Sequence, residues 1–333
     1  MTAPLSRPRP GRLADGVYAF DHDHGAPARE LTHLLGGKGA GLAEMTRTLG
    51  MSVPPGFTIS LPLCRQYRAS GWPSGLDDAL AAHIDRLGRT LGRRLGDSTD
   101  PLLVSVRSGA PISMPGMLDT VLNLGLNDET VRGLAEVSGD ERFAWDSYRR
   151  FLQMFGTIVR SLPPESLPRA AEGADAAALR VHVRDLKAAI ERASGFEVPR
   201  DPFAQLRESV EAVFRSWESP RAIAYREREG IDPELGTAVS VQSMVFGNRG
   251  RRSGTGVVFT RNPNTGAPEL YGDYLPRAQG EDVVAGTART MPITALADHE
   301  PAVFEQLGQV LRRLEIHYRS EEHTSELQSL AYL

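Results

Sequence analysis

Cysteine is nearly absent. Cys64 stands alone among 333 residues, which excludes an internal disulfide framework and any zinc site built from cysteines only. Apolar runs are short, and none reaches the roughly 18 residues that a membrane-spanning helix needs. The N-terminal arginines Arg7, Arg9 and Arg12 precede no apolar stretch of signal-peptide length. Pro4, Pro8 and Pro10 argue against an amphipathic transit helix. Excess positive charge is missing too: 38 basic against 42 acidic residues leave a net charge of −4, which gives no electrostatic case for nucleic-acid binding. These absences predict a soluble, cytoplasmic α/β-type chain, and 41% hydrophobic residues suffice for a sizeable core. The length predicts about two domains.

Lysine is the other scarcity. Only two of the 38 basic residues are lysines, Lys38 and Lys187, and the rest are arginine. Codon bias explains the imbalance, yet it singles out each lysine. Lys187 lies in DLKAAIER, where the spacing predicts an ion pair with Glu191 at i+4 on an exposed helix face. Lys38 lies among glycines.

Periodicity divides the chain. Strands are expected at Val17–Phe20, after the PPGFTI turn, and at PLLVSVRSG (101–109), the clearest buried strand of the first third. Residues 113–117 and 121–128 read as loops and short elements. Helices follow at 141–160, around 175–194 and at 201–217, the last with Asp201 as N-cap and Pro202 in the first turn. Another starts at Pro220 and ends near Gly230. Strand-like alternation then returns at 237–246, 255–262 and 268–275, before a final helix opened by Pro301.

Two glycine clusters carry the chemistry, because backbone without side chains can bring several N–H groups close to one anion. Gly36, Gly37, Gly39 and Gly41 surround Lys38 ahead of an expected helix ending at Gly50. The cluster fits neither a Walker A loop nor G-x-G-x-x-G, so an anion site and a structural turn both remain open. FGNRGRRSGTGV (246–257) joins two expected strands, as either an ordinary long hairpin or a phosphate-covering flap. Its glycines and the arginines Arg249, Arg251 and Arg252 predict mobility. Arg107 ends a buried strand, where a guanidinium either pairs with a core carboxylate or faces a ligand phosphate. Glu269, Tyr271 and Asp273 are expected on one strand face, with Glu281 and Asp282 after a turn. Those carboxylates either neutralise arginines or meet Mg²⁺ held mainly by ATP phosphates. The sequence contains no H-E-x-x-H and no G-x-S-x-G.

The runs LLGGKGAGLAEMT, VPPGFTI, DPLLVSVRSGAPISMPGMLDTVLNLGLND, DSYRRFLQMFG, AVFRSWESPRAIAYR, GTAVSVQSMVFGN, SGTGVVFTRNPNTG and YGDYLPRAQGEDVVAGTART, in this order, resemble the N-terminal nucleotide-binding region of the pyruvate, phosphate dikinase family. Phosphoenolpyruvate synthases share the loop plan but lack the SMPGM…NLGLND and AVFRSW blocks in this form. The resemblance implies an α+β, ATP-grasp-like fold with a helical insertion. Residues 1–127 and 200–245 would form a first subdomain, 128–199 the insertion and 246–319 a second subdomain. It implies a kinase or phosphotransferase that converts ATP, pyruvate and phosphate to AMP, phosphoenolpyruvate and pyrophosphate through a phosphohistidine on another domain, in a homo-oligomer. Lys38 and Arg107 would hold ATP phosphates, with Arg107 catalytic. Gln242, Met244 and Val245 would flank adenine. Thr255 and Gly256 would lie in the flap, and Asp273, Glu281 and Asp282 near metal and ribose, Asp273 and Glu281 being the metal candidates.

The chain departs from the family pattern at several places. Asp273 replaces the Glu of YGEYL, and Pro111 stands where many members have a second Arg. The T-S-H-A-A core of the phosphohistidine motif, the pyruvate-binding barrel and the D-M-Q-D-x-E-F and L-Q-T-R segments do not occur. By count the family's metal-binding Glu falls at Ser325, and residues 320–333 read as translated adaptor sequence. On this reading the chain alone turns over no ATP, and its last helix leaves Leu311 and Leu314 exposed. The competing reading is a non-catalytic nucleotide-binding module.

Overall fold

The computed structural model describes residues 16–284 and 289–318. The N-terminal arginines and prolines, residues 285–288 of the YGDYL…ART run, Ser325 and the segment read as adaptor sequence lie outside the described residues. The chain forms two compact units. One holds the described residues up to Gly50 together with Pro54–Met244, and the other holds Met51–Val53 with those from Val245 on.

The first unit begins with β1 (Val17–Ala19), α1 (Thr32–Ala43), β2 (Gly56–Ile59), α2 (Leu61–Ser70) and α3 (Leu76–Leu91). A two-residue parallel pair, β3 (Arg94–Leu95) and β4 (Pro101–Leu102), leads into β5 (Val104–Gly109) and β6 (Thr120–Leu124). Then come α4 (Thr130–Ser138), α5 (Glu141–Met154), α6 (Ala176–Ser194), α7 (Pro202–Ser216), α8 (Pro220–Glu229) and β7 (Ala238–Ser243). Five strands form one antiparallel sheet in the order β1-β2-β7-β5-β6. β7 is buried along its whole length, so its Ala/Val/Ser composition is that of a strand covered on both faces. α1 lies against β2, β5 and β7, while α7 packs on β5, β6 and β7.

The second unit holds β8 (Gly254–Phe259), β9 (Tyr271–Pro276), the short α9 (Gly280–Val284), β10 (Met291–Pro292), α10 (Leu296–His299) and α11 (Pro301–Tyr318). Its sheet has the antiparallel order β10-β9-β8.

Five expectations are corrected. Residues 120–124 are an edge strand of the five-stranded sheet, not a loop: β6 pairs with β5, and Val121, Leu122 and Leu124 are buried. Lys187 pairs with Asp128 at 2.6 Å, not with Glu191, because the turn before α4 brings a carboxylate to it from 59 residues away. The 246–257 segment is no hairpin, since β7 and β8 belong to different sheets. Glu269 precedes β9 and accepts from Asn262 Nδ2 at 2.8 Å, so it shares no strand face with Asp273. Finally, Leu311 and Leu314 are buried, 1% and 2% exposed, because with Leu307 they form the inward face of α11; Ile316, at 73%, is the exposed one.

His83 on α3 illustrates the core's chemistry. It is 5% exposed, with its ring 5.1 Å from that of Phe57. Burial, followed by the charge of Arg86, pushes its pKa down to about 4. A depressed histidine is neutral in the folded state, so its contribution is complete above the unfolded value near 6.5 and is lost as pH falls towards 4. Between pH 7 and pH 5 this should cost about 2 kcal/mol. Urea melts at the two pH values should differ by that amount in the wild type and by clearly less in His83→Asn. Equal pH dependence in both proteins would rule His83 out.

Candidate functional site

The glycine cluster is not an open loop. It is a break inside α1. Helical turns run on both sides of Gly36, whose own φ of 69° and ψ of 166° lie in a region that is essentially restricted to glycine. The break lets the second half of α1 meet the end of β5. The Gly37 amide donates to Ala110 O at 2.9 Å, and a Cβ on Gly36 would sit 1.8 Å from Gly109 O. Gly39 is confined as well, with Thr58 Oγ1 2.8 Å from the position of a Cβ, whereas Gly41 faces open space.

Lys38 falls in the first turn after the break, and its Nζ donates to Ser108 O at 2.8 Å. Arg107 is the next residue along β5, directly across from Ser240 on β7 and Thr120 on β6. It is half-buried, and among the described residues no carboxylate pairs with it. Lys38 after the helix break and Arg107 near the end of β5 thus meet through Ser108, residue types suited to an anionic ligand. Gln242 is buried, and its Nε2 donates to Pro54 O at 2.9 Å, while the Met244 amide donates to Leu103 O at 2.9 Å. Both tie neighbouring segments to the end of β7.

The second unit holds the remaining site candidates. Thr255 and Gly256 are strand residues of β8, opposite Leu275 and Tyr274. Thr255 is buried and lines, with Gly256, Val258, Tyr274 and Leu307, a cavity of about 260 Å³. The segment before it is also better packed than its composition suggests. A Cβ on Gly247 would lie 2.3 Å from Ala278 O, and Arg252 grips both oxygens of Glu300. Val245 follows β7 in irregular backbone. Asp273 is exposed on β9 and accepts from Thr290 Oγ1 at 2.7 Å. Asp282 accepts from the Gln279 amide at 2.9 Å, closing the first turn of α9, and Glu281 stands next to it. Among the described residues no group of three or more His, Cys, Asp or Glu could hold a metal.

Two residues that motif reading did not single out join the site. Asp119, before β6, accepts at its backbone oxygen from the Ser108 amide at 3.4 Å, and its carboxylate meets Arg221 on α8. Their separation of 102 residues left no local signal.

The mixed helix-and-sheet architecture is that of an ATP-grasp-like nucleotide-binding domain. The model of the pyruvate phosphate dikinase AMP/ATP-binding domain matches residues 68–329, which runs past Arg319. Pyruvate, phosphate dikinase 1, chloroplastic, of Oryza sativa is 48% identical over 91% of the chain and 33% of its own length. The pyruvate, phosphate dikinases of Clostridium symbiosum and Rhizobium meliloti are each 46% identical over 92% of the chain, and the chain covers 36% and 37% of them. The chain belongs to the pyruvate phosphate dikinase AMP/ATP-binding domain family, and it spans about a third of the length of these relatives. No helix among the described residues is long and apolar enough to cross a membrane.

Proposed function

We propose that this chain binds ATP for a pyruvate, phosphate dikinase reaction, in which ATP, pyruvate and phosphate give AMP, phosphoenolpyruvate and pyrophosphate. Lys38 and Arg107 hold the phosphates, Arg107 being the one closest to the transferred groups, and Gln242, Met244 and Val245 flank adenine. The observation that carries this reading is Arg107: a half-buried residue with no carboxylate partner among the described residues, adjacent in β5 to Ser108, whose carbonyl accepts from Lys38. A buried cation without a counter-charge is costly unless a ligand supplies one.

Mg²⁺ fits this chain only as a metal carried by the nucleotide. Asp273 and Glu281 are the nearest thing to a donor set, and no larger group exists among the described residues. Mg²⁺ is content with one or two carboxylates when phosphates complete its shell, and once bound it neutralises phosphate charge. Cytoplasmic location is part of the same proposal, although relatives include chloroplastic proteins.

The two-lysine composition supplies a direct test. An amine-reactive reagent can modify only Lys38, Lys187 and the N-terminal amine. ATP should protect Lys38 at least about tenfold, as expected when a charged hydrogen bond forms, while Lys187 labels at an unchanged rate. Peptide mapping reads both. Equal labelling of Lys38 with and without ATP would exclude it from the phosphate site.

A further inference from the structure

The end of β5 is held from two sides. On one side lie the Gly37 amide on Ala110 O and the Lys38 ammonium on Ser108 O, at 2.9 and 2.8 Å. On the other, the Ser108 amide donates to Asp119 O at 3.4 Å, and the Gly109 amide donates to Thr237 Oγ1 at 3.1 Å. Asp119 is fixed in turn. Its amide donates to Ser216 Oγ at 3.4 Å, and Arg221 reaches it with one nitrogen while donating Nε–H to Met117 O at 3.0 Å. Arg221 therefore clamps both the backbone and the carboxylate of the loop that joins β5 to β6.

The helix bearing Arg221 is well anchored. One turn and a half further along α8, Arg226 is 4% exposed, and its guanidinium lies 4.3 Å from the ring of Trp217, itself fully buried. Trp217 Nε1 donates to Pro233 O at 2.8 Å. Ala222, also on α8, packs with Trp217, Met114 and Ile231, so the helix and the start of the β5–β6 loop share one apolar cluster. Burial raises the Asp119 carboxyl above its ordinary range, against the pull of Arg221. Removing the arginine would leave that carboxyl half-buried with its counter-charge gone.

We infer that Arg221 and Asp119 are positioning residues for ATP binding: through Ser108 they fix where Lys38 and Arg107 present their charges, without touching the nucleotide themselves. The continuous path Arg221–Asp119–Ser108–Lys38 carries the inference, which rests on the reading of Lys38 and Arg107 as phosphate ligands. Rigid supporting groups of this kind matter because a displacement of about an ångström in a charged ligand costs much of its affinity.

The test is a double-mutant cycle on the 333-residue chain, with ATP as the probe in calorimetric titration. Arg221→Gln should weaken ATP binding on the order of fivefold to tenfold, Asp119→Asn should do the same, and Arg221→Lys should recover most of the loss. In a Lys38→Ala background Arg221→Gln should have little further effect, because the group it positions is gone. A purely structural role would instead lower the melting temperature equally in both backgrounds and leave affinity ratios unchanged, which would overturn the inference. Should Arg221→Gln fail to fold, Asp119→Asn, which keeps the loop's backbone bonds, decides alone. If Lys38→Ala itself leaves ATP affinity intact, the phosphate-site reading falls first. If Lys38→Ala weakens binding while Arg221→Gln and Asp119→Asn do not, only the positioning role falls.

Discussion

Replacing Lys38 with alanine should weaken ATP binding by on the order of 10- to 100-fold, the equivalent of one or two charge-assisted hydrogen bonds to phosphate oxygens. The ammonium donates to Ser108 O at 2.8 Å. A phosphate oxygen at that spot would form a charge-assisted hydrogen bond, the strong kind, and alanine forfeits it. Lys187→Ala is the matched comparison. Its ammonium is engaged with Asp128, whose other oxygen accepts from Tyr148 at 3.2 Å, and that network lies in the helical part of the first unit. The substitution should cost some stability and leave ATP affinity unchanged. Isothermal titration of both variants against the wild type provides the comparison, and equal affinities in the two would remove Lys38 from the site.

Legibility in the sequence followed the range of the interactions involved. Helices announced by local chemistry were readable. Asp201 caps α7 by accepting from the Phe203 and Ala204 amides, Pro220 opens α8, and Gly230 closes it at φ 65°. Strand β6 was not readable, because Asn123 at φ 57° and Gly125 at φ 111° disguise it as a loop. Its order comes from pairing with β5. The partner of Lys187 was likewise beyond reach, since i+4 spacing favours Glu191 and only the tertiary fold brings Asp128 nearby. For the candidate site, the glycines, Lys38 and Arg107 were visible as residue types. That the glycines form a helix break and not a loop depends on Gly109 and Ala110, about 70 residues away. The Arg221–Asp119 clamp had no local signature at all.

The four glycines around Lys38 look alike in sequence, and the structure predicts that they will behave very differently. Gly36→Ala should be severely destabilising. The residue holds φ 69° and ψ 166°, a conformation that costs a side-chain-bearing residue roughly 1–3 kcal/mol. Its new Cβ would also collide with Gly109 O at 1.8 Å, a backbone atom that cannot rotate away. Either the break in α1 straightens or the end of β5 is pushed aside, and both moves separate Lys38 from Ser108. The melting temperature should fall by on the order of 10 °C, and residual folded protein should bind ATP poorly. Gly41→Ala should do the opposite. Nothing lies within 4 Å of its Cβ, and the residue is in the helical half of α1, so alanine should add roughly 0.5–1 kcal/mol by restricting the unfolded chain. Thermal melts with and without ATP separate the two effects. If Gly36→Ala melted with Gly41→Ala, the break would be dispensable, and the cluster's glycines would have to act through flexibility and not through the close approach of α1 to β5.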